Sequence, residues 1–226
     1  MKQFIALGAF LFVSLNGFGA NPTPKEAIID LSLQHTSDDS TRPQVRKELD
    51  GLITDLTDGL PKVTQAQWAQ YAPGSWRQIW SDEADNSPAG SPPRDLEKIF
   101  QYVTPQGRAV NFGQRMIPGG QEITFALEAV GSVIDDIQTT EILGAFSRNA
   151  GLSTGEDLEI LANDILLKEN QMFSPIELGT FPKGPVGAKS DLTILYLDND
   201  LKIGTAPNVY SGEIELFVLT RQNQVQ

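Results

Sequence analysis

Cysteine is absent from the 226-residue sequence, and histidine occurs once, at position 35. The first absence excludes disulfides, thiolate nucleophiles, Fe–S clusters and zinc knuckles. The second leaves no material for a multi-histidine metal site. Positive charge is scarce too: 17 Lys and Arg stand against 29 Asp and Glu, a formal charge of −12. No run of Lys and Arg offers the positive stripe that a phosphate backbone demands, so nucleic acid is not an expected partner. No apolar run reaches the ~20 residues that a spanning helix needs. What is present suffices for a core. Hydrophobic residues make up 40% of the chain, unlike a disordered composition. At roughly 150 residues per domain the length suggests one domain or two small ones.

Residues 1–20 read as a secretory signal peptide. Lys2 is the positive n-region, the segment opening Phe4-Ile5-Ala6-Leu7 is the apolar h-region, and small residues allow cleavage after Gly19 or Ala20. The expected compartment is periplasmic or secreted, with a soluble mature chain. A bipartite plastid presequence ranks second, because the following segment is acidic instead of Arg/Ser-rich.

Thr23-Pro24-Lys25-Glu26 has the form of a capping box with Pro at the first helical position, followed by an apolar face of Ala27, Ile28 and Leu31. After a polar loop over 36–41, Val45, Leu49, Leu52, Ile53, Leu56 and Leu60 recur at helical spacing, with Gly59 and Pro61 as stop signals. From Gly74 the period becomes two. Trp76, Gln78 and Trp80 fall on one face of a strand, and 86–94 is a Pro/Gly/Ser loop. Phe100 and Tyr102, a Pro105-Gln106-Gly107-Arg108 turn, then Val110, Phe112 and Gln114 form a hairpin signal. Gly119-Gly120 turns the chain into the alternating Ile123, Phe125, Leu127 and Ala129. Strands are also expected within 132–145, at Leu192, Ile194 and Tyr196, and at Ile214, Leu216 and Val218. The segment 158–169 fits a helix through Leu158, Leu161, Ala162 and Ile165, or a strand through Leu158, Ile160 and Ala162. Turn-linked strands without helical crossovers predict an antiparallel β-barrel or sandwich behind N-terminal α-helices. The expected organisation is a signal at 1–20, a helical segment at 21–72 packing on the β domain, and a β domain at 73–226.

Catalytic templates find little here. A Ser-His-Asp triad would have to use His35, yet no Gly-x-Ser-x-Gly elbow exists. Asp135 and Asp136 are adjacent in an expected strand, so they point to opposite faces. Asp198 and Asp200 share a face. Their spacing permits a carboxylate pair or a weak Ca²⁺ site, but a polar bend between strands is the preferred reading. No enzyme activity, metal or cofactor is expected.

Two stretches resemble the plastid lipid-associated protein family, also called fibrillins. Pro73-Gly74-Ser75-Trp76-Arg77-Gln78-Ile79-Trp80-Ser81 is similar to the family's opening strand. The segment Leu195-Tyr196-Leu197-Asp198-Asn199-Asp200-Leu201-Lys202-Ile203-Gly204, with Gly212 and Phe217-Val218-Leu219-Thr220-Arg221, resembles its terminal Tyr-Leu-Asp-x-Asp-Leu motif and closing strand. The resemblance spans about 24–221. Lys202 stands where the family usually has Arg, Trp80 where Tyr is common, and the signal peptide replaces a plastid transit peptide. The triplet Gly74-Ser75-Trp76 also resembles the Gly-x-Trp opening of lipocalins. There the Trp plugs the closed end under an Arg from beyond the last strand, for which Arg221 is the candidate.

The resemblance implies a lipocalin-like β-barrel, a strand at 158–169, association with lipid or prenyl lipid, and no catalysis. An eight-stranded barrel is just wide enough for side chains or one small ligand. Candidate inward positions are Trp76, Trp80, Phe100, Tyr102, Phe112, Phe125, Leu127 and Tyr196. The expected function is binding or sheltering a small hydrophobic molecule such as a lipid, prenylquinone or pigment, by a monomer. The alternative is a structural protein that coats lipid surfaces or membranes without an internal ligand.

Overall fold

The structure, a computed structural model, describes residues 22–34, 41–82, 98–116, 119–180, 186–208 and 212–226. The expected signal segment 1–20, His35 and the expected loop 86–94 lie outside these. Thr23 caps the first helix, α1 (Pro24–Leu33), with the reciprocal bonds its sequence predicts: the hydroxyl accepts from Glu26 N–H, and the Glu26 carboxylate accepts from Thr23 N–H. The second helix, α2 (Arg42–Thr57), stops short of Leu60, and Gly59 leaves it at φ +71°. A third, α3 (Gln65–Tyr71), too short for apolar periodicity to reveal, carries a second capping box made by Thr64 and Gln67.

Five strands then form an antiparallel meander: β1 (Gly74–Ser81), β2 (Ile99–Val103), β3 (Arg108–Met116), β4 (Glu122–Ile134) and β5 (Ile137–Arg148). After α4 (Leu158–Leu166) and the two-residue β6 (Ser174–Pro175), the meander resumes with β7 (Lys189–Leu197), β8 (Leu201–Pro207) and β9 (Ile214–Arg221). Each strand of the wall pairs with its neighbour, β5 pairs with β7, and β9 pairs back onto β1. Eight strands thus close into an up-and-down antiparallel barrel, with β6 attached at the upper part of β5. Closure removes the free edges that an open sheet would present.

Two sequence expectations fail here for local reasons. Within the segment 158–169, residues 158–166 form a helix, not a strand. Asp157 caps it by accepting from Glu159 N–H at 2.8 Å, and Leu158, Leu161, Ala162, Ile165 and Leu166 are buried on one side. The buried Asp164 carboxylate then takes the N–H groups of Gln171, Met172 and Phe173, which folds the following chain back onto the helix. Asp135 and Asp136 lie in the hairpin turn between β4 and β5, Asp135 at φ +55°, instead of within a strand.

The helices cover the barrel from outside. Ile28 of α1 and Val45, Leu49 and Ile53 of α2 pack against Trp80, Leu201, Ile203, Leu216 and Val218, a cluster drawn from β1, β8 and β9. The apolar side of α4 packs against Phe100, Tyr102, Val110, Phe112 and Ala126 of β2, β3 and β4. The short α3 brings Trp68 to the end of the barrel where β1 begins.

Candidate ligand site inside the barrel

The inner face of the wall is set by strand alternation, interrupted by bulges. In β1, Trp76 and Gln78 face inward. Gln78 pairs with Leu219 but Trp80 pairs with the adjacent Val218, so the register slips between them and Trp80 turns outward. Its indole N–H donates to Asp82 at 2.9 Å, and the Arg42 guanidinium lies 4.1 Å over its ring. A second bulge separates Ile194 from Tyr196 in β7 and places Tyr196 outside, where its hydroxyl donates to Asp198 at 2.8 Å.

Of the candidate inward residues, the structure places Trp76, Phe125 and Leu127 inside. Trp80, Tyr102 and Tyr196 belong to the outer face, contrary to the sequence expectation; Phe100 and Phe112 border the cavity, yet both belong to the apolar cluster under α4. For Phe100, Tyr102 and Phe112 the cause is α4: an outer face covered by a helix must be apolar too, so large aromatics no longer mark the interior. Phe112 packs 5.8 Å from Phe173 in that outer layer. The Tyr102 hydroxyl faces Glu159 of α4. Burial first, then the hydrogen bond to this carboxylate, push its pKa up to about 12.

One end of the barrel is sealed. Trp76 is fully buried, its indole N–H donates to Ala72 O at 2.8 Å, and the Arg221 guanidinium stacks 3.9 Å over its ring. The same guanidinium donates to Pro73 O at 2.7 Å, Tyr71 O at 2.5 Å and Asn199 O at 2.9 Å. It therefore ties the end of α3 to the turn between β7 and β8. Gly74 is required beneath it: its φ is +114°, and a Cβ there would lie 2.7 Å from the guanidinium Nη1. Trp68, Val103, Ala109, Val133, Ile194, Leu197 and Leu219 complete this floor.

Above the floor is a cavity of about 590 Å³, lined by residues from all eight strands of the wall. That volume falls in the range of roughly 300–1,000 Å³ typical of small-molecule sites. Its apolar surface comes from Ile99, Phe125, Leu127, Leu192 and Phe217, each only half-buried. Its polar surface includes Gln78, Gln101, Asn111, Gln138, Thr140 and Lys202. Lys202 is 3% exposed; its ammonium donates to the Gln101 carbonyl and stands 5.1 Å over the Trp76 ring. The Gln101 amide in turn donates to Asn111 at 2.7 Å. Burial, with the Arg221 charge adding to it, drives the Lys202 pKa down to about 7. Among the described residues no carboxylate pairs with it, and the Gln78 amide nitrogen, also buried, has no hydrogen-bond partner.

The terminal motif Tyr196-Leu197-Asp198-Asn199-Asp200-Leu201 does different work. Asp198 Oδ1 accepts from the N–H groups of Asp200 and Leu201 at 2.8 and 2.9 Å, which closes the turn between β7 and β8. Lys25 of α1 reaches both carboxylates, 2.7 Å from Asp198 and 2.9 Å from Asp200. Burial opposes ionisation of Asp198, but Lys25, the two backbone N–H groups and Tyr196 outweigh it and hold its pKa below the usual carboxylate value. The pair is thus a latch between helix and barrel. Leu197 joins the floor and Leu201 the outer cluster.

Sequence reasoning missed Trp68 and Lys202. The Thr64-x-x-Gln67 capping box immediately before Trp68 was the available signal for α3. For Lys202 the signal was a charge between two apolar outward residues, Leu201 and Ile203, in a strand. No family model matches the chain, and no curated protein matches it. Among solved structures, the chain is similar to a lipocalin-like protein from Bacteroides uniformis, with 14% identity over 66% of this chain and 97% of that one and a TM-score of 0.32.

Proposed function

We propose that the protein binds a small hydrophobic molecule inside the barrel and shelters it from water, without catalysis. The observation that carries this reading is the cavity: one end sealed by Trp76, Trp68 and Arg221, and half-buried Phe125, Leu127, Leu192 and Phe217 around an unfilled interior. Apolar area buried on a guest stabilises the complex by about 25 cal/mol per Å² before the costs of association. Micromolar binding then needs no ion pair.

The sequence resemblance to plastid lipid-associated proteins makes a lipid, prenylquinone or pigment the expected guest. The N-terminal pattern of Lys2 and the apolar run after it supports an exported, periplasmic or secreted, location. Monomeric action goes with this reading. The alternative, coating of a lipid surface through the N-terminal helices, has less support. Ile28, Val45, Leu49 and Ile53 are already buried against the barrel, and a net charge of −12 opposes anionic membranes. Organic extraction of natively purified protein followed by mass spectrometry should release a stoichiometric hydrophobic compound. Extracts without one, together with no uptake of apolar fluorescent probes, would discard the reading.

A further inference from the structure

We propose that the guest carries an acidic head group, a carboxylate on an apolar body, and enters head first so that Lys202 and Gln78 hold the carboxylate just above the Trp76 floor. This deepens the carrier reading and rests on it. Two donor groups at the bottom of the cavity lack acceptors among the described residues. The Lys202 ammonium has three N–H groups and one partner, Gln101. The Gln78 amide nitrogen has two and no partner. Buried donors left unmet cost more than the average hydrogen bond contributes, so the site favours a guest that supplies acceptors. A carboxylate supplies two oxygens, matching the two donor groups, and adds the countercharge that no described residue provides. Arg221, the other charge acting on Lys202, is also positive. The overall charge of −12 repels anions. A preference for an acid over its neutral analogue must therefore arise locally, and Lys202 is the cation at the floor, while Arg115 is a second one on the cavity wall. The apolar residues Phe125, Leu127, Leu192 and Phe217 then lie along the body of the guest.

The test uses purified full-length protein, cis-parinaric acid and its methyl ester, both read by fluorescence. The acid should bind at least about tenfold more tightly than the ester, since a charge-assisted hydrogen bond in a dry site contributes about that much or more. Lys202→Met and, to a smaller degree, Gln78→Leu should weaken the acid and leave the ester unchanged. Arg115→Gln, at the other cation of the cavity wall, should leave the acid-to-ester ratio unchanged. Equal binding of acid and ester by the wild type overturns the head-group assignment while leaving the carrier reading intact. So does discrimination that survives Lys202→Met or vanishes with Arg115→Gln. Failure of both probes to bind overturns the two together.

Discussion

The outer face of this barrel is greasier than the inner one. Outside, under α1, α2 and α4, sit Trp80, Phe100, Phe112, Leu201, Ile203 and Val218, all 1% exposed or less. Inside are Gln78, Gln101, Asn111, Gln138, Thr140 and Lys202, with half-buried apolar residues between them. A protein needs a packed core, but a core and a cavity cannot occupy the same volume. Here helices laid on the wall supply the packed apolar layers, and the barrel interior is left with unfilled space and unpaired donors. The lesson is a division of labour between the two faces of one sheet: stability outside, recognition inside.

Mutations on the two faces should therefore have unequal effects. The largest effect is expected from truncating the outer layer. Trp80→Ala or Phe112→Ala should cost about 3–5 kcal/mol in urea unfolding, the usual result of emptying a large buried aromatic site. A loss below about 1 kcal/mol would contradict the placement of the core outside the barrel. Arg221→Ala comes next. It strips the donor from Tyr71, Pro73 and Asn199 carbonyls and uncovers Trp76, and should cost about 2–3 kcal/mol on the same measurement.

A pH series sharpens the contrast further. In the folded chain Lys202 titrates near 7, below its ordinary value of 10.5. Between these values the unfolded chain binds more protons, so stability rises with pH through that window. Below it the full cost of the buried charge is present. Lys202→Met should remove this dependence and raise the urea midpoint above wild type at about pH 6. Asp198→Asn reverses the sign. The depressed folded pKa of Asp198 contributes stability above its ordinary value, which is lost as pH falls through the folded one. The variant should cost about 1 kcal/mol at neutral pH, since Lys25 and Asp198 are only partly buried. The difference from wild type should close under acid conditions. The smallest stability effect belongs to the cavity wall. Phe125→Ala should change stability less than either outer-layer truncation, because the half-buried ring borders the open cavity instead of a packed layer, while visibly weakening uptake of an apolar probe.

The strands were legible because turn signals such as Pro105-Gln106-Gly107 and Gly119-Gly120 punctuate clean alternation, and Thr23 and Glu26 announce α1 directly. The floor was legible as well: Gly74, Trp76 and Arg221 converge, and Gly74 is the residue that lets the guanidinium approach. The cavity lining was not. Phe100, Tyr102 and Phe112 were expected inside, yet α4 draws all three into its own apolar cluster. Reading 158–169 as a strand removed the very element that covers them. Trp80 and Tyr196 were displaced by single-residue register slips, which leave no mark on composition.

Local sterics and side-chain period, which act over a few residues, suffice for two unlike strand faces, turn-linked antiparallel strands and a capped helical start. Tertiary structure alone decided which face became the inside, since that choice depends on helices distant in sequence docking onto the wall. It also decided that Lys202 would be buried without a carboxylate partner among the described residues. That outcome requires β7, β8, β9, β1 and β2 to meet around one point, and nothing local to Leu201-Lys202-Ile203 encodes it.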